Sequence, residues 1–240
     1  MQVKERHSWE ILRDYLEQDD SQGLNDYLSA LTGEQSLRAI TRLEPEEQQS
    51  IMARLSPESA AEFIEYSPNE PAADLLGELS PEVAASIVSE MDSDDQADVL
   101  SELEEEDLEE ILRYMDEREA GEARQLMAYD EDVAGGLMMT EYFSYPRAFR
   151  SGAGLQDLAK RDEEYELHNV HYIYVTGRGK KLLGVARIRD IVFASPETRL
   201  SEIVRPAVTV RDTTTLDELE NLFDETTFTA VPVVDEDNRM

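Results

Sequence analysis

Through the first 130 residues the apolar positions fall in adjacent pairs: Ile51-Met52, Phe63-Ile64, Leu75-Leu76, Ile87-Val88, Val99-Leu100 and Ile111-Leu112, spaced 12 residues apart throughout. Four positions after the first member of each pair stand Leu55, Ser67, Leu79, Met91, Leu103 and Met115. Residues i and i+4 share a helical face, so each pair and its follower predict one short helix with a single apolar stripe. Ser67 alone breaks the stripe, and Tyr66 beside it is expected to substitute.

Helix starts recur in the same phase. Ser56-Pro57-Glu58 and Ser80-Pro81-Glu82 follow apolar residues, with Ser67-Pro68 one residue early and Glu44-Pro45-Glu46 a weaker copy. Serine accepts a bond from an orphan amide, proline suits the first turn, and acids complement the positive end of the helix dipole. A helix of about nine residues is marginal alone, because nucleation outweighs its few hydrogen bonds. The units must therefore stack. Alanine pairs at Ala60-Ala61, Ala72-Ala73 and Ala84-Ala85, also 12 apart, allow close approach and predict an α-solenoid-like superhelix.

From about Tyr142 the period changes. Tyr172-Ile173-Tyr174-Val175 reads as a strand, Thr176-Gly177-Arg178-Gly179 as a turn, and Leu182 to Ala186 as the returning strand. Helices are expected upstream at Leu155 to Lys160 and downstream at Arg187 to Ala194. A similar unit starts at Thr209-Val210, with a helix from Leu216 to Phe223 and a strand from Ala230 to Val234. The expected fold class is α+β and multidomain: a helical superhelix, then an α/β pair whose second member lacks its return strand and final helix. The expected boundaries are 1–130 for the helical domain, 131–141 for a linker, 142–200 for the first α/β motif and 201–240 for the incomplete second.

Charge narrows the function. The chain has 240 residues, 55 Asp+Glu against 22 Lys+Arg, a formal net charge of -33 and no cysteine. Such a polyanion repels nucleic acid and anionic lipid and attracts cations and basic partners. Solubility or a saline habitat would favour the same composition. With 40% hydrophobic residues a folded core is expected. Disulfides and thiolate metal sites are excluded. There is no apolar stretch behind the N-terminus for a signal peptide, and no run near the ~18 apolar residues of a membrane helix, so a soluble chain is expected.

The segment Tyr129-Asp130-Glu131-Asp132-Val133-Ala134-Gly135-Gly136-Leu137-Met138 resembles the junction between the helical N domain and the paired CBS domains of MgtE magnesium channels. Gly184-Val185-Ala186-Arg187-Ile188-Arg189-Asp190 resembles the signature of a first CBS motif, and Phe228 to Asp235 the middle of a second. The order of acidic repeats, Gly-Gly junction and CBS pair makes the resemblance specific, and it covers essentially the whole chain. It implies a cytosolic regulatory region at the inner face of the cell membrane. Its partners would be its own transmembrane pore domain, absent from this sequence, and a second copy associated through the CBS domains. Regulatory Mg2+ would bridge acidic N-domain and CBS surfaces and favour a compact, pore-closing state. The metal-contacting acids of the family carry over onto Glu62, Asp94 and Asp98, with Asp95 nearby, the linker carbonyl onto Gly136, and a CBS acid onto Asp217. Thr227 departs from the family where a carboxylate is expected.

The resemblance also leaves open an adenine nucleotide such as ATP, because Tyr172, Asp190 and Phe228 match positions used for one and Asp190 would bond a ribose. Arg187 stands where Ser or Thr is usual. A protein-interaction scaffold is the third reading, since helical repeats of this kind also resemble flagellar motor switch proteins. No enzyme is expected: His7, His168 and His171 form no HExxH motif, and Gly177-Arg178-Gly179 lies in no phosphate-loop pattern. Glu104-Glu105-Glu106 reads as a solvated helix start, and any of the candidate acids could equally be a surface charge.

Overall fold

A computed structural model describes residues 6–160 and 172–240. The chain divides into two compact units, Met1–Ala128 and Tyr129–Met240.

The first unit contains ten helices among the described residues: α1 (Ser8–Glu17), α2 (Ser21–Leu28), α3 (Gly33–Ile40), α4 (Pro45–Met52), α5 (Pro57–Glu65), α6 (Asn69–Gly77), α7 (Pro81–Val88), α8 (Ser93–Ser101), α9 (Glu105–Tyr114) and α10 (Glu117–Leu126). From α2 onward the N-caps are Asp20, Thr32, Glu44, Ser56, Pro68, Ser80, Asp92, Glu104 and Asp116, 12 residues apart without exception. The repeat thus begins two units earlier than the apolar pairs at Ile51 suggest, with Tyr27-Leu28 and Ala39-Ile40 in phase. All six apolar pairs and the three alanine pairs are buried in one continuous core. Helices two apart in sequence pack together, odd on odd and even on even, which builds two rows of helices. A polar staple recurs with the repeat: the Asn25 and Gln49 side-chain amides donate to the carbonyls of Arg54 and Glu78, so each relation shifts by two repeats.

Two local expectations fail here. Tyr66 does not replace Ser67 in the stripe: it is 52% exposed, and its ring lies across Gly33, where an added Cβ would collide with it. Ser67 instead donates its hydroxyl to the Phe63 carbonyl. Ser56 accepts a capping bond from the Ser59 amide at 3.3 Å, but Ser80 makes no side-chain cap.

The second unit runs β1 (Ser144–Pro146), α11 (Ser151–Leu158), β2 (Tyr172–Thr176), β3 (Leu182–Arg187), α12 (Ile188–Val192), α13 (Leu200–Ile203), β4 (Val210–Arg211), α14 (Leu216–Glu225) and β5 (Val233–Val234). β1 pairs parallel to β2, and β2 antiparallel to β3, while β4 pairs parallel to β5. The order β1-α11-β2 is therefore repeated by β4-α14-β5. Ile173, Val175 and Ala186 are fully buried between this sheet and its helices. The first helix starts at Ser151 rather than Leu155, β1 went unread in the sequence, and the strand expected over Ala230 to Val234 shrinks to two residues. Pro232 has no amide to donate to a ladder, and β4 offers a partner of only two residues.

Residues 132–137 belong to the packing of the second unit. The Ala134 and Gly135 amides donate to the carbonyls of Thr214 and Asp212, the Leu216 amide to that of Asp132, and Ala134 is buried with Val210 and Leu219. His168 and His171 lie outside the described residues; His7 caps α1 and stacks on Trp9.

Candidate metal centre and nucleotide residues

The start of α8 gathers carboxylates because the repeat places Asp92 at the N-cap and Asp94 and Asp95 in the first turn. One oxygen from each lies within 4.8 Å of the others. This is the one such group of three or more metal-ligating side chains among the described residues. Asp94 Oδ1 is shielded from water and meets no hydrogen-bond donor. From α5, Glu65 reaches the same place: its Oε1 accepts the Asp92 amide at 3.2 Å.

The crowding raises protonation. Burial pushes the Glu65 carboxyl up to about 7; the Asp92 amide opposes the rise, and the charges of Asp92, Asp95 and Glu62 add to it. Burial likewise lifts Asp95 to about 6, with further push from Asp94, Asp92 and Asp98. Each is half-buried, so the repulsion is partly screened by water.

An all-oxygen donor set suits Mg2+, whose ligands sit at 2.0–2.1 Å, so that opposite oxygens are about 4.2 Å apart. Three ligands on one octahedral ion include at least two adjacent pairs about 2.9 Å apart, so oxygens within 4.8 Å of one another suit an ion that keeps part of its water shell better than one ligated directly by all three. The donor chemistry fits such a hydrated ion.

The expected site residues distribute as follows. Asp94 and Asp95 stand in the group of three. Asp98, one turn along α8, faces Asn69, whose Nδ2 donates to Oδ2 at 3.5 Å, and acts on Asp95 through its charge. Glu62 is exposed on α5, a turn before Glu65, and borders a shallow cleft with Ser29, Ser36 and Ser59. Asp92 and Glu65 were missed by the sequence reading. The Asp92 signal was available in the N-cap phase; the Glu65 contact spans 27 residues and has none. Gly136 and Asp217 belong to the second unit. Gly136 occupies a tight turn where a Cβ would stand 2.5 Å from the Asp130 carbonyl oxygen, which fixes glycine there. Asp217 is exposed in the first turn of α14, beside a capping box formed by Thr215 and Glu218.

Of the nucleotide candidates, Tyr172 and Asp190 are carried by the first motif: Tyr172 pairs with Arg187 across β2 and β3, three residues before Asp190. Asp190 Oδ2 is sealed from water without a hydrogen bond and lies 3.0 Å from Arg205 Nη2. Phe228 precedes β5 in the second motif and is partly exposed.

Comparison with known proteins identifies the architecture. The model of the MgtE intracellular N domain matches residues 13–132, half of the chain, and that of the CBS domain matches residues 200–240. The magnesium transporter MgtE of Thermus thermophilus is 38% identical over 122 residues, which are 50% of this chain and 26% of that protein; its Bacillus subtilis counterpart is 30% identical over 114 residues, 47% of this chain and 25% of that protein. The chain thus spans about a quarter of the length of these curated relatives. A crystal structure of the cytosolic domain of the Mg2+ channel MgtE in complex with ATP superposes with a TM-score of 0.84 at 31% identity, covering 95% of this chain and 93% of that one. The soluble part of a magnesium transporter shows the same fold, with a TM-score of 0.84 at 23% identity over 97% of this chain and 91% of that one. With its capped helical repeat followed by a CBS region, this chain belongs to the MgtE family, a family of transporters and not of enzymes.

Proposed function

We propose that this chain is the cytosolic magnesium-sensing region of a magnesium channel or transporter. The observation that carries the reading is the convergence of Asp92, Asp94 and Asp95, with Glu65 behind them, on a helical unit rich in acid. Residues 1–128 hold 34 of the 55 acids but only 9 of the 22 basic residues. At low Mg2+ these charges repel. Divalent ions neutralise them, bridge acidic surfaces of the N domain (1–130) and the CBS motifs (142–200 and 201–240), and shift the population toward a compact state that closes the pore. The segment 131–141, with Gly136, links the two. Glu62, Asp98 and Asp217 extend the acidic surface, and several weak sites together reach the about 5.5 kcal/mol of differential binding that moves an equilibrium from 1:99 to 99:1. The membrane pore and a second copy, associated through the CBS motifs, are the partners, and the chain works at the cytoplasmic face of the membrane.

Small-angle X-ray scattering tests this. MgCl2 should compact the chain, NaCl of equal ionic strength should not, and a Glu62→Ala/Asp94→Ala/Asp98→Ala variant should fail to respond. Three coincident titrations would remove the sensor reading.

A second ligand is supported by Asp190. The Asp190 oxygen is withdrawn from water and, though ion-paired with Arg205, accepts no aligned hydrogen bond, which suits a ribose hydroxyl, and Tyr172 and Phe228 would supply aromatic surface for a base. We therefore propose an adenine nucleotide, such as ATP, as a second regulatory ligand of the CBS region.

A further inference from the structure

The carboxylate of Asp190, in the first turn of α12, is paired among the described residues with one cation. Arg205 Nη2 lies 3.0 Å from Oδ2, off the line a hydrogen bond requires. The two residues differ in freedom. Asp190 has a side chain only 24% exposed, whereas that of Arg205 is 56% exposed.

The Arg205 backbone is clamped. Its amide donates to the Val185 carbonyl at 2.8 Å, and the Val185 amide returns a bond to the Arg205 carbonyl at 2.9 Å. Gly184 makes this possible: its φ is +150°, and a Cβ there would stand 2.1 Å from the Arg205 carbonyl oxygen. The sequence thus uses a glycine to seat an arginine beside the acid expected to receive a ribose. A clamped backbone with an exposed guanidinium on a long side chain is suited to exchanging partners.

We infer that Arg205 is a phosphate-selecting latch on the nucleotide site, holding Asp190 until a ribose hydroxyl takes over that carboxylate and then pairing with the phosphate of the same ligand. The inference rests on the nucleotide reading of Asp190. The ribose hydroxyl gives Oδ2 the aligned donor that Arg205 does not, and the released guanidinium presents a planar fork of N–H donors that matches phosphate oxygens. A ligand without phosphate must displace the arginine and offers it nothing in return. The latch therefore favours ADP or ATP over adenosine.

Isothermal titration calorimetry of the whole chain with adenosine, ADP and ATP, in EDTA, tests it using Arg205→Ala and Arg205→Lys. The native chain should bind ADP and ATP more tightly than adenosine. Arg205→Ala should weaken ADP and ATP by about tenfold or more, as loss of a charge-assisted bond does, while adenosine binds as well or better. Arg205→Lys should recover part of the phosphate preference. An Arg187→Ala control should give no gain for adenosine, because Arg187 does not hold Asp190. Arg205→Ala weakening all three ligands equally would make Arg205 a structural residue, and no change for any ligand would make it a bystander; either result overturns the latch and leaves the nucleotide site standing. A native chain that binds none of the three removes the nucleotide reading and the latch with it. Thermal melting of the variants separates these outcomes from misfolding, since the clamp on residue 205 is made by backbone atoms.

Discussion

Replacing Asp95 with Asn should stabilise the protein in the absence of metal and weaken its stabilisation by Mg2+. Asp95 is lifted from an ordinary 3.8 to about 6 by burial and by Asp94, Asp92 and Asp98. A rise of that size corresponds to about 3 kcal/mol at 1.36 kcal/mol per pH unit. Half-burial lets water screen the repulsion, which reduces the figure to about 1–1.5 kcal/mol. An acid in the first turn of α8 also gains about 0.3–1 kcal/mol from the helix dipole, which Asn forfeits. The net gain for Asp95→Asn is then about 0–1 kcal/mol, a Tm rise of up to about 4 °C. Because the folded-state value is raised, the native protein is least penalised below 3.8 and loses stability as pH climbs to about 6. The advantage of Asn should accordingly be absent at acidic pH and complete above that window. Urea unfolding followed by circular dichroism in EDTA, from pH 4.5 to 8, measures it. Adding MgCl2 should then raise the stability of the native protein more than that of the variant. A variant that is less stable than the native protein in EDTA at pH 7.5, or equally responsive to Mg2+, would show that Asp95 is neither strained by its neighbours nor a ligand.

The superhelix itself should fail at its buried pairs: Ile64→Ala, at a position with no exposure in the core, should cost about 2–5 kcal/mol in urea unfolding, whereas Glu105→Ala on the exposed start of α9 should stay within about 0.5 kcal/mol. Gly184→Ala should lower the melting temperature of the second unit and expose the Val185 and Arg205 amides to hydrogen exchange, since its Cβ would meet a backbone oxygen that cannot swing aside. Equal exchange in both proteins would show that the clamp does not depend on glycine.

The repeat was legible because its two signals, apolar pairs and caps, obey one period and are enforced locally at each turn. Where the signal is a side chain's own neighbourhood, sequence spacing was a poor guide. Tyr66 was expected in the core, but the space beside Gly33 on another helix receives its ring. The β4-β5 pair is short because Pro232 interrupts the ladder and β4 offers only two residues, so the apolar run from Ala230 overstated the strand. The candidate metal centre was half visible: Asp94 and Asp95 were expected from the family resemblance, whereas Glu65 joins them only through tertiary packing of α5 against the start of α8. Arg205 is separated from Asp190 by 15 residues, and the Gly184 clamp helps to seat the two side by side.

Uptake of Mg2+ by the carboxylates at the start of α8 is open to calorimetric titration of MgCl2 into the chain at fixed ionic strength. The comparison is between Asp92→Asn/Asp94→Asn/Asp95→Asn and Glu104→Gln/Glu105→Gln/Glu106→Gln, which removes the same charge from the exposed start of α9. Saturable binding to the native chain and to the α9 variant is expected, with a site lost in the α8 variant; equal binding to both variants would rule out uptake at α8 and reduce the acidity to diffuse surface charge.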